Sequence, residues 1–298
     1  MSHLKTDRQP ITIGMPVRNC ESTLAQAIRS LQLQTCPDWR LVMVDDGSSD
    51  RTVEVARSYQ DGRITITRDG AHRGLAARLN EIVATCQGKY FARMDSDDIA
   101  YPHRLERQVQ YLEEQPDLDL VGTSMAVFGQ DGLLLGKRSV PCHHGAICER
   151  PYTGIHLGHP TFMGKLEWFK RHPYRVSAVR CEDQDLLLRT HETSRFGNIS
   201  DILLGYREDR ISARKILTSR WYYAMALSQE FRNRGKYVVA AWATFLQLAK
   251  AGLDSVAVAT RLDHKVLRHR ARPVNVAERS EWDSVWRLVN GDGGNVQR

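Results

Sequence analysis

Apolar residues in this chain recur at two spacings, and the two alternate. Ile11-Thr-Ile-Gly-Met15 is a short apolar run that stops at Pro16 and reads as a strand. Glu21 to Leu31 carries Leu24, Ile28 and Leu31 at i, i+4 and i+7, the stripe of an amphipathic helix. Leu41-Val-Met-Val44 is a second strand and Ile64 to Thr67 a weaker third. Gly74 to Cys86 predicts a helix with Leu75, Leu79, Ile82 and Val83 on one face. Tyr90 to Met94 is a buried strand. Pro102 fits the first turn of the next helix, which carries Leu105, Val109 and Leu112. Leu120-Val-Gly-Thr123 closes the run. Such alternation predicts an α/β domain, a doubly wound and mostly parallel sheet with helices on both faces.

Beyond Thr123 the pattern loosens. Gly129 to Val140 predicts a β-hairpin region, followed by a long loop to His159, of a length that often carries function. Residues 161–170 return to a helical spacing. From Ala213 to near Thr260 the chain reads as a packed helical pair with Trp221, Tyr222, Tyr223, Phe231, Trp242 and Phe245. A membrane-surface helix is the other reading of the uncharged stretch Tyr237 to Ala249. Arg261 to Arg279, including Arg268-His-Arg-Ala-Arg272, is a basic segment, and Gly291 to Arg298 is expected to be disordered.

Charge divides the chain. The net charge is +7, but residues 1–206 carry 25 Lys+Arg against 26 Asp+Glu, and residues 207–298 carry 17 against 9. The excess is C-terminal, so an anionic partner such as lipid headgroups is expected there. Composition is that of a soluble globular protein, with 42% hydrophobic and 26% charged residues. No run of spanning length lacks a charge, and Met1 to Pro10 has no apolar signal core, so a cytoplasmic protein is expected. Cys20, Cys36, Cys86, Cys142, Cys148 and Cys181 contain no CxxC pair and read as reduced thiols. Cys142-His143-His144 with Cys148 holds zinc-ligand types at irregular spacing.

Acids end two of the expected strands. Asp45 and Asp46 follow the second, and Asp95, Asp97 and Asp98 follow the fourth. Strand ends form the rim where ligands bind in open α/β sheets. Three crowded carboxylates suit a hard divalent cation, Mn²⁺ or Mg²⁺, although Asp98 as a helix cap on an acidic loop is the plainer reading. Neither GxGxxG nor a P-loop follows the first strand. Glu182, Asp183 and Asp185 form a third cluster, placed either to suit a helix dipole or, facing a metal site, to supply a general base.

Taken in order, Ile-Gly-Met-Pro-Val-Arg-Asn19, Val-Asp-Asp-Gly-Ser-Ser-Asp50, Gly74-Leu-Ala-Ala-Arg-Leu-Asn80, Met-Asp-Ser-Asp-Asp98 and Glu182-Asp-Gln-Asp-Leu186 resemble the family 2 glycosyltransferases of the GT-A fold, a large class in bacterial polysaccharide assembly. The resemblance covers residues 10 to 210. It implies a nucleotide-sugar-binding and catalytic GT-A domain over residues 1–206, with a basic, mainly helical region over 207–298. It implies that Pro16 and Asn19 shape the nucleotide pocket beside Arg18, that Asp45 and Asp46 meet base and ribose, and that Arg78 and Asn80 face the donor. Asp95 and Asp97 match the DxD metal pair, with Ser96 between them on the donor side and Asp98 adjacent. Asp183 matches the base of an inverting single displacement, with Glu182 and Asp185 close enough to compete for the role.

A UDP-sugar is the favoured donor and a carbohydrate or lipid-linked molecule the acceptor. Arg18 stands where the family often has Tyr, and His72 where it often has Asn, which leaves donor identity open. No QxxRW motif is present, so a single-sugar transferase is expected rather than a polymerase. Two other readings remain. A nucleotidyltransferase needs a glycine-rich basic loop after the first strand, where only Arg18 is basic. A non-catalytic nucleotide-sugar or nucleic-acid binding protein leaves three acidic clusters unexplained, so nucleic acid is not an expected partner.

Overall fold

The computed structural model describes residues 11–208, 213–259 and 272–291. Expectations for Met1 to Pro10, for most of the basic segment, for Thr260 and for residues 292–298 lie outside these.

One nine-stranded sheet organises the chain. Its first half is parallel: β3 (Ile64–Arg68), β2 (Trp39–Asp45), β1 (Ile11–Val17) and β4 (Tyr90–Arg93) lie side by side in that order. β1 and β2 end together at Val17 and Asp45, and Gly14 is level with Arg93, so the residues after all three strands share one rim. Gly14 has to be glycine, because a Cβ there would sit 2.5 Å from the Phe91 ring. Helices α1 (Leu24–Gln32) and α2 (Thr52–Ser58) cover one face. Their Leu24, Ile28, Leu31 and Ala56 pack on the inward side chains of β1 and β2. On the other face α3 (Leu75–Thr85) buries Leu79 and Ile82 with Phe91.

Past β4 the sheet is mixed. β8 (Met163–Lys165) runs antiparallel between β4 and β6 (Leu120–Phe128). The hairpin expected near Gly129 is there, with β6 returning as β7 (Leu134–Arg138). The helix expected over 161–170 is not continuous. A 3-10 turn at His159–Thr161 and strand β8 come first, and only Leu166–Arg171 is helical, as α6. Gly164 explains the strand: a Cβ there would meet the Asp119 carbonyl oxygen at 2.3 Å, a close approach that sheet pairing demands.

β9 (Phe196–Arg207) has no counterpart in the sequence reading. It pairs parallel with β6 along its whole length, with register shifts near Ser124. Its far end also pairs with β5 (Ile99–Ala100), a two-residue strand inside the acidic loop. Helix α4 (Arg104–Glu114) follows that loop, α5 (His144–Ile147) interrupts the long loop, and α7 (Glu182–Thr190) begins at the third acid cluster. Among the described residues Cys142, His143, His144 and Cys148 form no cluster fit for a metal; His144 Nδ1 lies 3.9 Å from Cys148 Sγ and accepts the Phe196 N–H at 3.1 Å. All six cysteines are free.

α8 (Ala213–Asn233) and α9 (Tyr237–Ala259) form the expected helical pair, packed on α7 through Cys181, Leu188, Tyr223, Leu227 and Phe231. A last helix, α10 (Val276–Asn290), was not legible. A capping box of Asn275 and Glu278 starts it, and Gly291 in the left-handed region stops it. Its Trp282 is buried against Phe128 and Tyr101 and donates to the Gly132 carbonyl at 2.9 Å.

Candidate active site

The shared rim gathers the sequence-predicted residues in three groups. The first lies beyond β1 and β2. Pro16 belongs to β1, level with Val44. Asn19 takes φ 48°; its amide donates to Ser48 Oγ at 3.1 Å and its Oδ1 accepts the Ser49 N–H at 2.9 Å. Asp45 is fully buried, accepting from Ser48 N at 3.2 Å with Arg68 Nε at 3.4 Å. Asp46 is nearly as buried and binds the start of α3: it accepts from Arg73 N at 2.7 Å, Gly74 N at 3.1 Å, Arg78 Nε at 2.9 Å and His72 Nδ1 at 2.7 Å. Burial raises its pKa, and these donors together hold it below the usual carboxylate value.

Arg78 and Asn80 are engaged within the protein. The Arg78 guanidinium is fully buried among Asp69, Asp46 and Glu81, at 2.7–2.9 Å, and these partners, Asp69 first, raise its pKa. Asn80 latches α3 to Tyr174, donating to its carbonyl at 2.8 Å and accepting its N–H at 2.9 Å. The two departures noted in the sequence turn out to be neighbours. Arg18 Nη1 lies 2.9 Å from His72 Nε2, and His72 Nδ1 binds Asp46. Since Arg18 can only donate, His72 accepts at Nε2 and donates from Nδ1.

The second group is the loop after β4. Carboxylate oxygens of Asp95, Asp97 and Asp98 lie within 4.8 Å of one another, and among the described residues this is the one such cluster fit for a metal. β5 and Arg207 fix the loop. Arg207 N donates to Asp98 Oδ1 at 3.0 Å and Nε to the Asp97 carbonyl at 2.8 Å. Ser96 contributes its carbonyl, which accepts from Thr23 Oγ1 at 3.1 Å. Asp98 Oδ2 is buried without a partner among the described residues. Burial and the Asp95 charge push Asp97 up to about 6, and burial with both neighbours pushes Asp98 well above the ordinary range. An all-oxygen donor set with one orphaned buried oxygen, its crowding only partly offset by Arg93 and Arg207, fits a hard divalent cation.

The third group opens α7. Asp185 is buried in a clamp, 3.2 Å from Arg175 and 2.8 Å from Arg189. Asp183 and Glu182 are half-buried at the first turn, and burial raises the pKa of both. Asp183 Oδ2 accepts from Gln184 Nε2 at 3.4 Å.

Arg93 joins the second and third groups, and sequence reasoning missed it. Its buried guanidinium pairs with Asp95 and lies in the field of Asp98 and Asp183. The available signal was one arginine in an otherwise apolar strand. Next to it, His159 Nε2 lies 3.0 Å from the Tyr174 hydroxyl, and burial, then Arg93, keep its pKa well below the usual value.

With this geometry in hand, residues 12–175 match the profile of Glycosyl transferase family 2. The chain belongs to that family. This family 2 glycosyltransferase is 35% identical to EpsE of Bacillus subtilis (strain 168) over 208 residues, 67% of this chain and 73% of that one. It is 33% identical over 102 residues, 34% of this chain and 40% of the other, to WfgD of Escherichia coli, named as a UDP-Glc:alpha-D-GlcNAc-diphosphoundecaprenol beta-1,3-glucosyltransferase. Among solved structures, S. aureus TarS 1-349 in complex with UDP-GlcNAc superposes with a TM-score of 0.62 at 16% identity, over 94% of this chain and 81% of that one. The GT-A fold of the transferase follows from that likeness.

Proposed function

We propose that this glycosyltransferase moves one sugar from a nucleoside-diphosphate sugar, a UDP-sugar in particular, to a hydroxyl of a lipid-linked or polysaccharide acceptor, with inversion. Its setting would be polysaccharide, O-antigen or glycolipid assembly. The observation that carries this reading is the meeting of two acid groups at one rim, Asp95–Asp98 and Asp183, both in the field of Arg93. WfgD, which takes UDP-glucose by name, and the TarS complex with UDP-GlcNAc support the choice of donor.

Asp45, Asp46 and the Arg18–His72 pair line the nucleotide end, with Pro16 and Asn19 shaping the turn beside them. Arg78 and Asn80 act on the donor through the neighbours they fix, Asp46 and Tyr174. Mn²⁺ or Mg²⁺ held by Asp95, Asp97 and Asp98 would neutralise charge on the departing diphosphate. Asp183 takes the proton of the acceptor hydroxyl while that oxygen bonds to the anomeric carbon and the bond to the diphosphate oxygen breaks. Burial suits Asp183 to this, since a raised pKa makes it a stronger base. Glu182 flanks it, and Asp185 stays in its clamp.

Residues 1–206 form the catalytic part in this reading, and residues 207–298 meet the inner face of the cytoplasmic membrane. Two features support the membrane contact. The excess charge is C-terminal, and the helical pair exposes Trp221 (57%), Trp242 (54%) and Phe245 (59%). Among the described residues no helix is long and apolar enough to cross a membrane.

Calorimetric titration of UDP, GDP, CDP and dTDP with Mn²⁺, and again with a chelator, tests the donor site. UDP is expected to bind, and only with metal. Binding that ignores the chelator would remove the metal from this reading, and preference for another nucleotide would change the donor.

A further inference from the structure

Arg93 is a charge where the fold asks for an apolar side chain. It follows Phe91 by two positions on β4, so it projects from the same face of the sheet, where Phe91 meets Phe169 at 4.8 Å. It is 3% exposed. The backbone around it is pinned: Arg93 N donates to the Phe162 carbonyl at 2.8 Å, and Met94 N to the Gly14 carbonyl at 3.3 Å. The strand therefore limits where the guanidinium can go. Burying such a group is costly unless it is paired and hydrogen-bonded. Arg93 is only half provided for. Nη2 pairs with Asp95, while Nε and Nη1 are buried with no partner among the described residues.

Other buried arginines near the loop hold its backbone. Arg104 donates from Nη2 to the Arg93 and Pro160 carbonyls at 2.7 and 3.0 Å, and Arg207 donates from Nε to the Asp97 carbonyl at 2.8 Å. Arg93 instead gives its side chain to a carboxylate of the proposed metal set, and its charge also reaches Asp97, Asp98, Glu182 and Asp183. Packing alone would be served as well by apolar side chains in place of the Arg93–Asp95 pair. What the arginine supplies is positive charge at a fixed point beside crowded acids.

We propose that Arg93 is a resident counter-cation of the acidic loop: it keeps the carboxylates assembled when no metal is bound, and it competes with the divalent cation for Asp95. This rests on the metal-dependent transferase reading above and adds a positioning residue, one that acts on the donor site through Asp95. A cation held against a standing positive charge binds less tightly than the carboxylates alone would hold it, so the metal stays exchangeable. The sign of the effect separates this role from scaffolding. If Arg93 merely shaped the loop, its removal would loosen the carboxylates and weaken metal binding. As a competitor it holds the affinity down, and its removal tightens binding.

The test titrates the full chain with Mn²⁺ alone by calorimetry and follows urea unfolding in chelator and in Mn²⁺. Arg93→Met removes the charge and keeps an unbranched apolar stem. It is expected to bind Mn²⁺ about tenfold more tightly than the wild type, and to unfold at lower urea in chelator with most of that loss restored by Mn²⁺. Arg93→Lys keeps a charge but sets it back from Asp95, and is expected to bind Mn²⁺ about threefold more tightly. Equal or weaker affinity in Arg93→Met overturns the inference. If that variant cannot be folded for titration, Arg93→Lys decides: tighter binding supports the inference, and equal or weaker binding overturns it. UDP binding at saturating Mn²⁺ reports on the donor site separately. A wild-type chain that binds Mn²⁺ and no nucleotide overturns the donor reading and leaves the ranking of Mn²⁺ affinities to judge Arg93. A wild-type chain that binds no Mn²⁺ overturns the metal site, and this inference with it.

Discussion

His72 is the residue through which the proposed nucleotide end of the site is tied together. One imidazole nitrogen faces Arg18 and the other Asp46, so the ring relays the position of a buried carboxylate to an exposed guanidinium. His72→Asn shortens that relay, and UDP affinity is expected to fall about three- to tenfold, the size of one lost polar contact. Calorimetry checks this, and Arg18→Ala should give the same loss without adding to that of the double variant. As the proposed base, Asp183 would carry the pH dependence. Burial raises its pKa, so its basic form is lost, and the rate with it, as pH falls through a value above the usual ~3.9 of an aspartate. Asp183→Asn is expected to abolish this acid limb and lower kcat by about 10²–10⁴-fold, with UDP binding unchanged. A kcat profile against pH for both proteins decides it. Unchanged turnover would move the base to Glu182.

At the scale of elements, α10 matters more than its distance along the chain suggests. Trp282 fills a space left by glycines: a Cβ on Gly205 would lie 2.4 Å from its ring, and one on Gly132 2.2 Å from Trp286. Trp282→Ala is expected to lower stability by about 3–5 kcal/mol, read from the urea midpoint, because the slot cannot collapse around the missing ring. The elements that were legible in the sequence are those whose burial follows their own periodicity. Leu24, Ile28 and Leu31 announced α1, and Leu79 and Ile82 announced α3. β9 was illegible because Asn198, Ser200 and Asp201 break its apolar run, and because its partner β6 shifts register opposite that break. β5 has only two residues and exists through pairing alone. The candidate site divides along the same line. Acids at strand ends can be read from order and spacing. Arg207, which anchors two of them, sits on the unread strand, and the saturation of Arg78 depends on Asp46 and Asp69 folding back around it.

For the whole molecule, the asymmetry of charge coincides with an asymmetry of surface. The balanced part holds the acid-lined rim, and the basic part exposes aromatic rings. Changing Trp221, Trp242 and Phe245 together to Ser is expected to remove the chain from floating anionic vesicles while UDP binding persists; equal flotation of variant and wild type would rule out this surface as the membrane contact. The clasp of Arg207 on the acidic loop also sets an order of events during synthesis. Every motif on the rim is made before β9, yet Asp98 gains its backbone donor only from a residue 109 positions later. A nascent chain thus carries the acids without their final arrangement, and a proteolytic fragment ending at Tyr206 would keep each motif and lose the clasp. In the proposed reading, a metal site on this loop would be complete only once β9 has joined the sheet.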